Sequence, residues 1–218
     1  MLADLADATD LAARLGGTFV PTDVSDERAV AALMSREAGR RGRIDVAVNN
    51  AGITGEAPLA EADAGEFERM IRVNMMSVVF GLKHAAPHMT AGGSVINTSS
   101  LAGLTGFPTY GAYAASKAAI VSLTQVAAME YGPFRIRVNA ICPSSVDTPM
   151  LAAQPGGAVE AAVARIASPG QTASSGRSTC PATHSRDEFS GSRARAGLRR
   201  PRRPCATRAC PRVAEPGR

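Results

Sequence analysis

Tyr113 and Lys117 stand four residues apart in Tyr113-Ala114-Ala115-Ser116-Lys117, and Ser100 lies thirteen residues before the tyrosine. Residues i and i+4 share one face of a helix, so a phenol and an ammonium would look into the same space. A cation beside a phenol stabilises the phenolate and lowers its pKa from about 10 toward neutrality. A serine hydroxyl nearby could hold the oxygen that gains or loses the proton. The three together make a general acid/base site suited to alcohol–carbonyl chemistry. The Tyr-x-x-x-Lys pair by itself says little, because most such pairs are solvated helix-surface pairs.

The surrounding elements give the pair its weight. Tyr110 to Ala119 is rich in small residues, which lets a helix pack closely on a sheet, and that helix is expected from Gly111 to about Tyr131. Ser94 to Ser99 reads as a buried strand, and the hydroxyl run continues to Ser100. Ile44 to Val48 reads as a strand buried on both faces, followed at once by Asn49-Asn50-Ala51-Gly52. Further strands are expected at 18–22 and 135–141. Helices are expected at 5–15, from a capping Ser25 to about Arg40, at 64–89, and from Pro149 to about Ile166. Strands alternating with helices argue for an α/β domain with a parallel sheet and right-handed crossovers. Ligands in such sheets bind beyond the carboxyl ends of the strands. Asp23, Asn49 to Gly52, Ser100 and Pro143 all fall at such ends.

In order and spacing, Asp23-Val24, Asn49-Asn50-Ala51-Gly52, Asn74, Ser100, Tyr113 with Lys117, and Pro143 to Thr148 resemble the short-chain dehydrogenase/reductase family over residues 1–167. The resemblance implies a Rossmann-like, doubly wound parallel sheet and a nicotinamide cofactor, NAD with NADP possible. It implies a hydride passed between that cofactor and a secondary alcohol or ketone. Tyr113 would move the proton. Lys117 would tune it and hold the nicotinamide ribose. Ser100 would bond the substrate oxygen, and Asn74 would hold a relay water. Asn74 also has a plainer reading, a helix kink with its amide capping a carbonyl. By the same resemblance, Asp23 and Val24 would meet the adenine, and Asn50, Ala51 and Gly52 would turn beneath the cofactor. Asn49 is read as structural, bonding neighbouring strands. Pro143, Val146 and Thr148 would complete the cofactor contacts. Ser144 departs from the family glycine, which would strain the backbone if a positive φ were needed. Asp4 stands in the place of the acid that holds the adenosine ribose, which points to NAD. Its plainer reading, and that of Asp23, is a helix cap.

The fold is expected to be incomplete at both ends. No glycine cluster of the phosphate-binding kind precedes Asp23. Residues 168–218 contain only Phe189, Leu198 and Val213 of the large apolar types, with six prolines and 11 arginines, and read as a disordered tail. Text of this kind is what a GC-rich gene gives out of frame, an idea the nucleotide sequence around Ala167 tests. The tail balance is +8 against +5 for the whole chain, so residues 1–167 carry −3.

Cys142 reads as a buried strand-end thiol. With Cys180, Cys205 and Cys210 it makes neither a zinc pattern nor a disulfide framework. His84 and His88 lie four apart with no third ligand evident, so surface histidines are expected and no metal. No run of 18 apolar residues and no basic leader occur, so a cytoplasmic protein without a membrane span is expected. Two alternatives to an oxidoreductase of small alcohols or ketones stay open. One is an inactive fragment or homo-oligomerising module that keeps the helices implied at 64–89 and 109–131. The other is a non-specific nucleic-acid binder through the basic tail.

Overall fold

Five short strands alternate with helices through residues 1–146 and 148–152, the part described by the structure, a computed structural model. Strand β1 (Leu2–Asp4) pairs in parallel with β2 (Phe19–Pro21), with α1 (Thr9–Arg14) between them. Helix α2 (Glu27–Arg41) leads to β3 (Val46–Asn49). Strands β3, β4 (Gly93–Thr98) and β5 (Ile136–Ile141) form a second parallel sheet in that order. Between β3 and β4 run α3 (Ala64–Met70), a π-helical stretch (Ile71–Met76) and α4 (Ser77–Ala85). Helix α5 (Gly111–Tyr131) joins β4 to β5, and a short α6 (Pro149–Ala152) follows. The plan is Rossmann-like α/β. The expected tail from 168 onward, its cysteines, and the helix beyond Ala152 lie outside the described residues.

Three sequence expectations change. The expected single sheet is two sheets, because no described strand pairs with both β1 and β3. The strand at 44–48 is buried on one face only. Ala47 is buried, while Val46 and Val48 are each 57% exposed, because the helices that cover β3 all lie on the Ala47 side. The cap of α2 is Asp26 rather than Ser25: its carboxylate accepts from Arg28 N–H at 2.9 Å, the usual way an N-cap satisfies an orphan amide.

The covered face of the larger sheet forms the core. Val78, Leu82, Ala85 and Met89 recur at helical spacing and meet Val95, Val138, Ile120 and Ala127. Each large side chain buried there contributes roughly 1.5–3 kcal/mol. Two polar ties cross this core. Asn49 Nδ2 donates to Asn97 Oδ1 (2.8 Å), and Asn97 Nδ2 donates to Thr124 Oγ1 (2.9 Å). Asn49 is thus a strand-to-strand link, as read from the sequence. A Cβ at Gly81 would collide with Asn49 Oδ1, so only glycine lets α4 approach β3 this closely.

On the outer side, Lys83 Nζ (2.7 Å) and His84 Nε2 (3.0 Å) share Glu27 Oε1, tying α4 to α2. That accounts for His84. Among the described residues there is no cluster of three or more metal-ligating side chains, and no helix is long and apolar enough to cross a membrane.

Candidate active site

Helix α5 carries the tyrosine and lysine because its buried stripe is polar at one end. Ser116, Lys117, Ile120, Thr124 and Ala127 face inward at helical spacing. Tyr113 lies one turn earlier on the same side. Ser99 Oγ donates to Lys117 O (2.7 Å), pinning the helix to the end of β4. Ser100 follows in extended backbone and caps the next turn, accepting from Ala102 N–H at 3.2 Å. Its side chain is also hydrogen-bonded to Tyr113. The strand end, the turn and the helix therefore converge, and Ser100 and Tyr113 meet as expected.

The electrostatics differ from the sequence reading in one respect. The Tyr113 phenol is pushed up from its ordinary pKa, first by burial, with the Ser100 hydrogen bond opposing it. Lys117 does not lower it here. Its Nζ sits over the tyrosine ring, 5.6 Å from the centroid, and donates to Thr98 O at 2.9 Å. A cation over the ring face gives a cation–π contact, and burial and the Ser100 bond, not this lysine, set the direction of the phenol's shift.

Lys117 is itself 4% exposed. Burial pushes its pKa from 10.5 down to about 8, and attraction to Cys142 opposes that shift. Between these two values the unfolded chain binds the extra proton and the folded chain does not. Stability therefore rises with pH from about 8. Above about 10 the raised Tyr113 value opposes the trend, because there the folded chain holds its proton longer. Denaturant unfolding at pH 9.5 is expected to give about 2 kcal/mol more stability than at pH 8. A flat or falling profile over that window would remove the assigned cost of burying the lysine charge.

Asn74 lies in the π-helical stretch, fully buried. Its Oδ1 accepts from Ile53 N–H (2.7 Å), while Nδ2 donates to Ile53 O (2.9 Å) and to Ser116 Oγ (3.0 Å). The helix is distorted, as the plainer reading supposed, but the side chain clamps the Asn49–Gly52 turn instead of capping its own helix. Both amide hydrogens are thus engaged within the protein. Ser116 Oγ also donates to Tyr113 O (2.7 Å), linking clamp and tyrosine. Sequence reasoning quoted Ser116 inside the motif without a role. Its position between the two reactive types was the only signal.

Gly52 is packed so tightly that a Cβ would lie 3.2 Å from Asn74 Oδ1 and 3.3 Å from Lys117 Nζ. Beside it Asn50 Oδ1 accepts from Thr98 Oγ1 (3.1 Å), and Ala51 is exposed. Pro143 O accepts from Leu101 N–H (2.8 Å), so the segment after β5 is tied to the Ser100 turn. Ser144 is not among the residues with positive φ, so the feared strain is absent. Val146 is exposed, and Thr148 Oγ1 donates to the Val146 carbonyl (3.3 Å). Cys142 is half-buried rather than buried.

Asp23 follows β2 and Asp4 ends β1, and both are exposed. Asp23 does not cap α2. Its Oδ1 accepts from Ser25 N–H (2.8 Å), and the Ser25 bonds, aided by the charge of Arg72, hold its carboxyl below the usual range. Asp4 Oδ1 accepts from Ala6 N–H (3.0 Å). Val24 is half-buried next to Asp23. Two further residues near the tyrosine were missed. Tyr110 packs edge-on to Tyr113 (centroids 6.1 Å apart) and donates from its hydroxyl to Glu56.

Several known proteins are similar to this chain in sequence and fold. A family model described as enoyl-(acyl carrier protein) reductase matches residues 2–175. Trans-4-hydroxycyclohexanecarboxylate dehydrogenase of Sinomonas cyclohexanicum is 45% identical over 135 residues, which cover 62% of this chain and 52% of that protein. The crystal structure of levodione reductase superposes with a TM-score of 0.69 at 33% identity, covering 76% of this chain and 70% of the other. The structure of ElxO with NADP bound gives a TM-score of 0.61 at 32% identity, covering 65% and 61%. The chain thus spans about half the length of the first of these relatives. On this evidence the chain belongs to the short-chain dehydrogenase/reductase family.

Proposed function

We propose that residues 1–167 form the domain of a nicotinamide-dependent oxidoreductase that interconverts a secondary alcohol and a ketone. The observation that carries this reading is the Ser100–Tyr113 hydrogen bond at the cleft end of α5, with the Lys117 ammonium over the ring. When bound, a nicotinamide supplies the acceptor or donor of hydride. Ser100 orients the substrate oxygen, and Tyr113 exchanges the proton with it, as base in oxidation and acid in reduction. The raised phenol pKa keeps that proton in place at neutral pH, which suits reduction.

The residues present fit one end of such a cofactor well. Lys117 offers a buried ammonium that donates to the Thr98 carbonyl, and polar ribose hydroxyls would relieve its desolvation. Gly52 allows close backbone approach beside it. Asn50, Ala51, Pro143, Val146 and Thr148 border that end. Asp23, Val24 and Asp4 would serve the adenosine end. Asn74 acts on the reaction through the turn that it holds.

NAD is favoured over NADP because a carboxylate at the Asp4 position accepts ribose hydroxyls and repels a 2′-phosphate. Fluorescence titration of the full chain is expected to show saturable NADH binding in the micromolar range, with NADPH at least tenfold weaker. Equal affinities would remove the Asp4 assignment. No NADH binding up to about 1 mM would remove the oxidoreductase reading. A dimer that takes up no cofactor would instead fit a homo-oligomerising module. That second reading draws on Val126 and Met129 of α5 and Phe134 beyond it, apolar side chains that are each exposed.

A further inference from the structure

Helix α5 starts without a side-chain cap, although its first turn carries Tyr113. Unsatisfied amide groups let helix ends fray, so a reacting group in a first turn needs other support. That support comes from the 55–61 loop, which follows the turn clamped by Asn74. Ala57 N–H donates to Thr109 O (2.9 Å), and Ala57 and Tyr110 form an isolated parallel bridge. The Tyr110 hydroxyl donates to the Glu56 carboxylate. Thr109, a β-branched residue, stands at φ 68°, in the left-handed region that such residues avoid. Backbone of this kind persists where its surroundings fix it, and it gathers at functional sites.

Packing behind this join is incomplete. A cavity of about 210 Å³ is lined by Leu59 of the loop, Phe67 and Met70 of α3, and Gly111 and Ala112 of α5. Directed bonds therefore matter more here than beneath α4, where side chains fill the space. A hydrogen bond to a carboxylate is roughly twice as strong as a neutral one, and Glu56 supplies it.

Tyr110 stands three residues before Tyr113, and Lys117 four after it. The Tyr110 ring meets the Tyr113 ring edge-on (centroids 6.1 Å apart, planes at 66°), and Lys117 Nζ lies over the same Tyr113 ring. Edge-on pairs have a preferred geometry, so fixing one ring limits the other. We propose that Tyr110 and Glu56 are positioning residues: the Glu56 carboxylate holds the Tyr110 ring, and that ring sets the direction in which the Tyr113 hydroxyl meets Ser100. Both act through Tyr113 and move no proton of the reaction themselves. The purpose of the arrangement rests on the alcohol–ketone reading, whereas the contact itself does not. Small displacements of a reacting group cost much rate, which is what the tie prevents.

The full 218-residue chain has three tyrosines, at 110, 113 and 131, so ring-carbon labelling gives three NMR signals that substitution assigns. Tyr110→Phe keeps the edge-on ring and loses the tie to Glu56. The ionisation midpoint of Tyr113, which burial raises above its ordinary 10, should fall toward 10 as water reaches the loosened ring. With a secondary alcohol, kcat should drop about tenfold, while the KM for cofactor changes by no more than about twofold. Glu56→Ala, at an exposed position, should reproduce both changes. Glu56→Gln keeps an acceptor oxygen and should hold kcat within about threefold of the native chain. The Glu56→Ala, Tyr110→Phe double variant should be no worse than either single one. An unchanged Tyr113 midpoint or an undiminished kcat in both single variants overturns the proposal, and so do losses that multiply in the double variant. Should Tyr110→Phe not fold, Glu56→Ala alone decides. If the native chain oxidises no secondary alcohol, the oxidoreductase reading falls, and the midpoints still decide whether the tie holds Tyr113.

Discussion

Tyr113→Phe is expected to lower turnover of a secondary alcohol by about 10²–10⁴-fold, the usual contribution of a positioned proton-transfer group. The substitution removes one oxygen. It keeps the ring that packs against Tyr110 and under Lys117, so the fold should stand. NADH affinity should change by no more than about twofold, because Lys117 keeps its bond to Thr98. The loss should fall on kcat and kcat/KM alike, the mark of an interaction made only in the transition state. Ser100 loses a partner in this variant but stays bonded to Ala102 N–H. Full turnover by the variant, measured as NADH formation, would show that another group moves the proton.

The second large effect is expected at Asn74. Leucine has the branching and heavy-atom count of asparagine but makes none of the three hydrogen bonds to Ile53 and Ser116. Ile53 would then keep an N–H and a carbonyl without partners in a partly buried place, each costing about 1–3 kcal/mol. Asn74→Leu should therefore destabilise by about 3 kcal/mol and lower Tm by roughly 10 °C. The Asn49–Gly52 turn would also lose its anchor, so the KM for cofactor should rise more than that for substrate. Calorimetry checks the first expectation and steady-state kinetics the second. A variant with unchanged Tm would mean that the turn is held by something other than this amide. In Asn74→Asp the oxygen acceptor survives, so partial retention of Tm would locate the loss in the two donated bonds.

The two substitutions probe different links of one chain. Asn74 reaches the turn at Ile53, and through Ser116 it reaches the backbone of Tyr113. Tyr113 reaches Ser100 at the end of β4. A change at the clamp is thus expected to move the reacting group indirectly, while a change at the tyrosine leaves the clamp alone.

Local pattern determined the order of the elements, the span of α5 and the meeting of Ser100 with Tyr113. Small residues, an i,i+4 pair and a hydroxyl run after a strand are all readable over short distances. Periodicity could not say that β3 would be covered on one face only, since an unbroken apolar run looks the same whether one layer of helices packs on it or two. Nor could residue types give the direction of the Tyr113 shift. Burial is a property of side chains brought together from distant parts of the chain. The same holds for Asn74, whose type marked it as unusual within a helix, but whose partners at Ile53 and Ser116 exist only once the turn and α5 have packed around it.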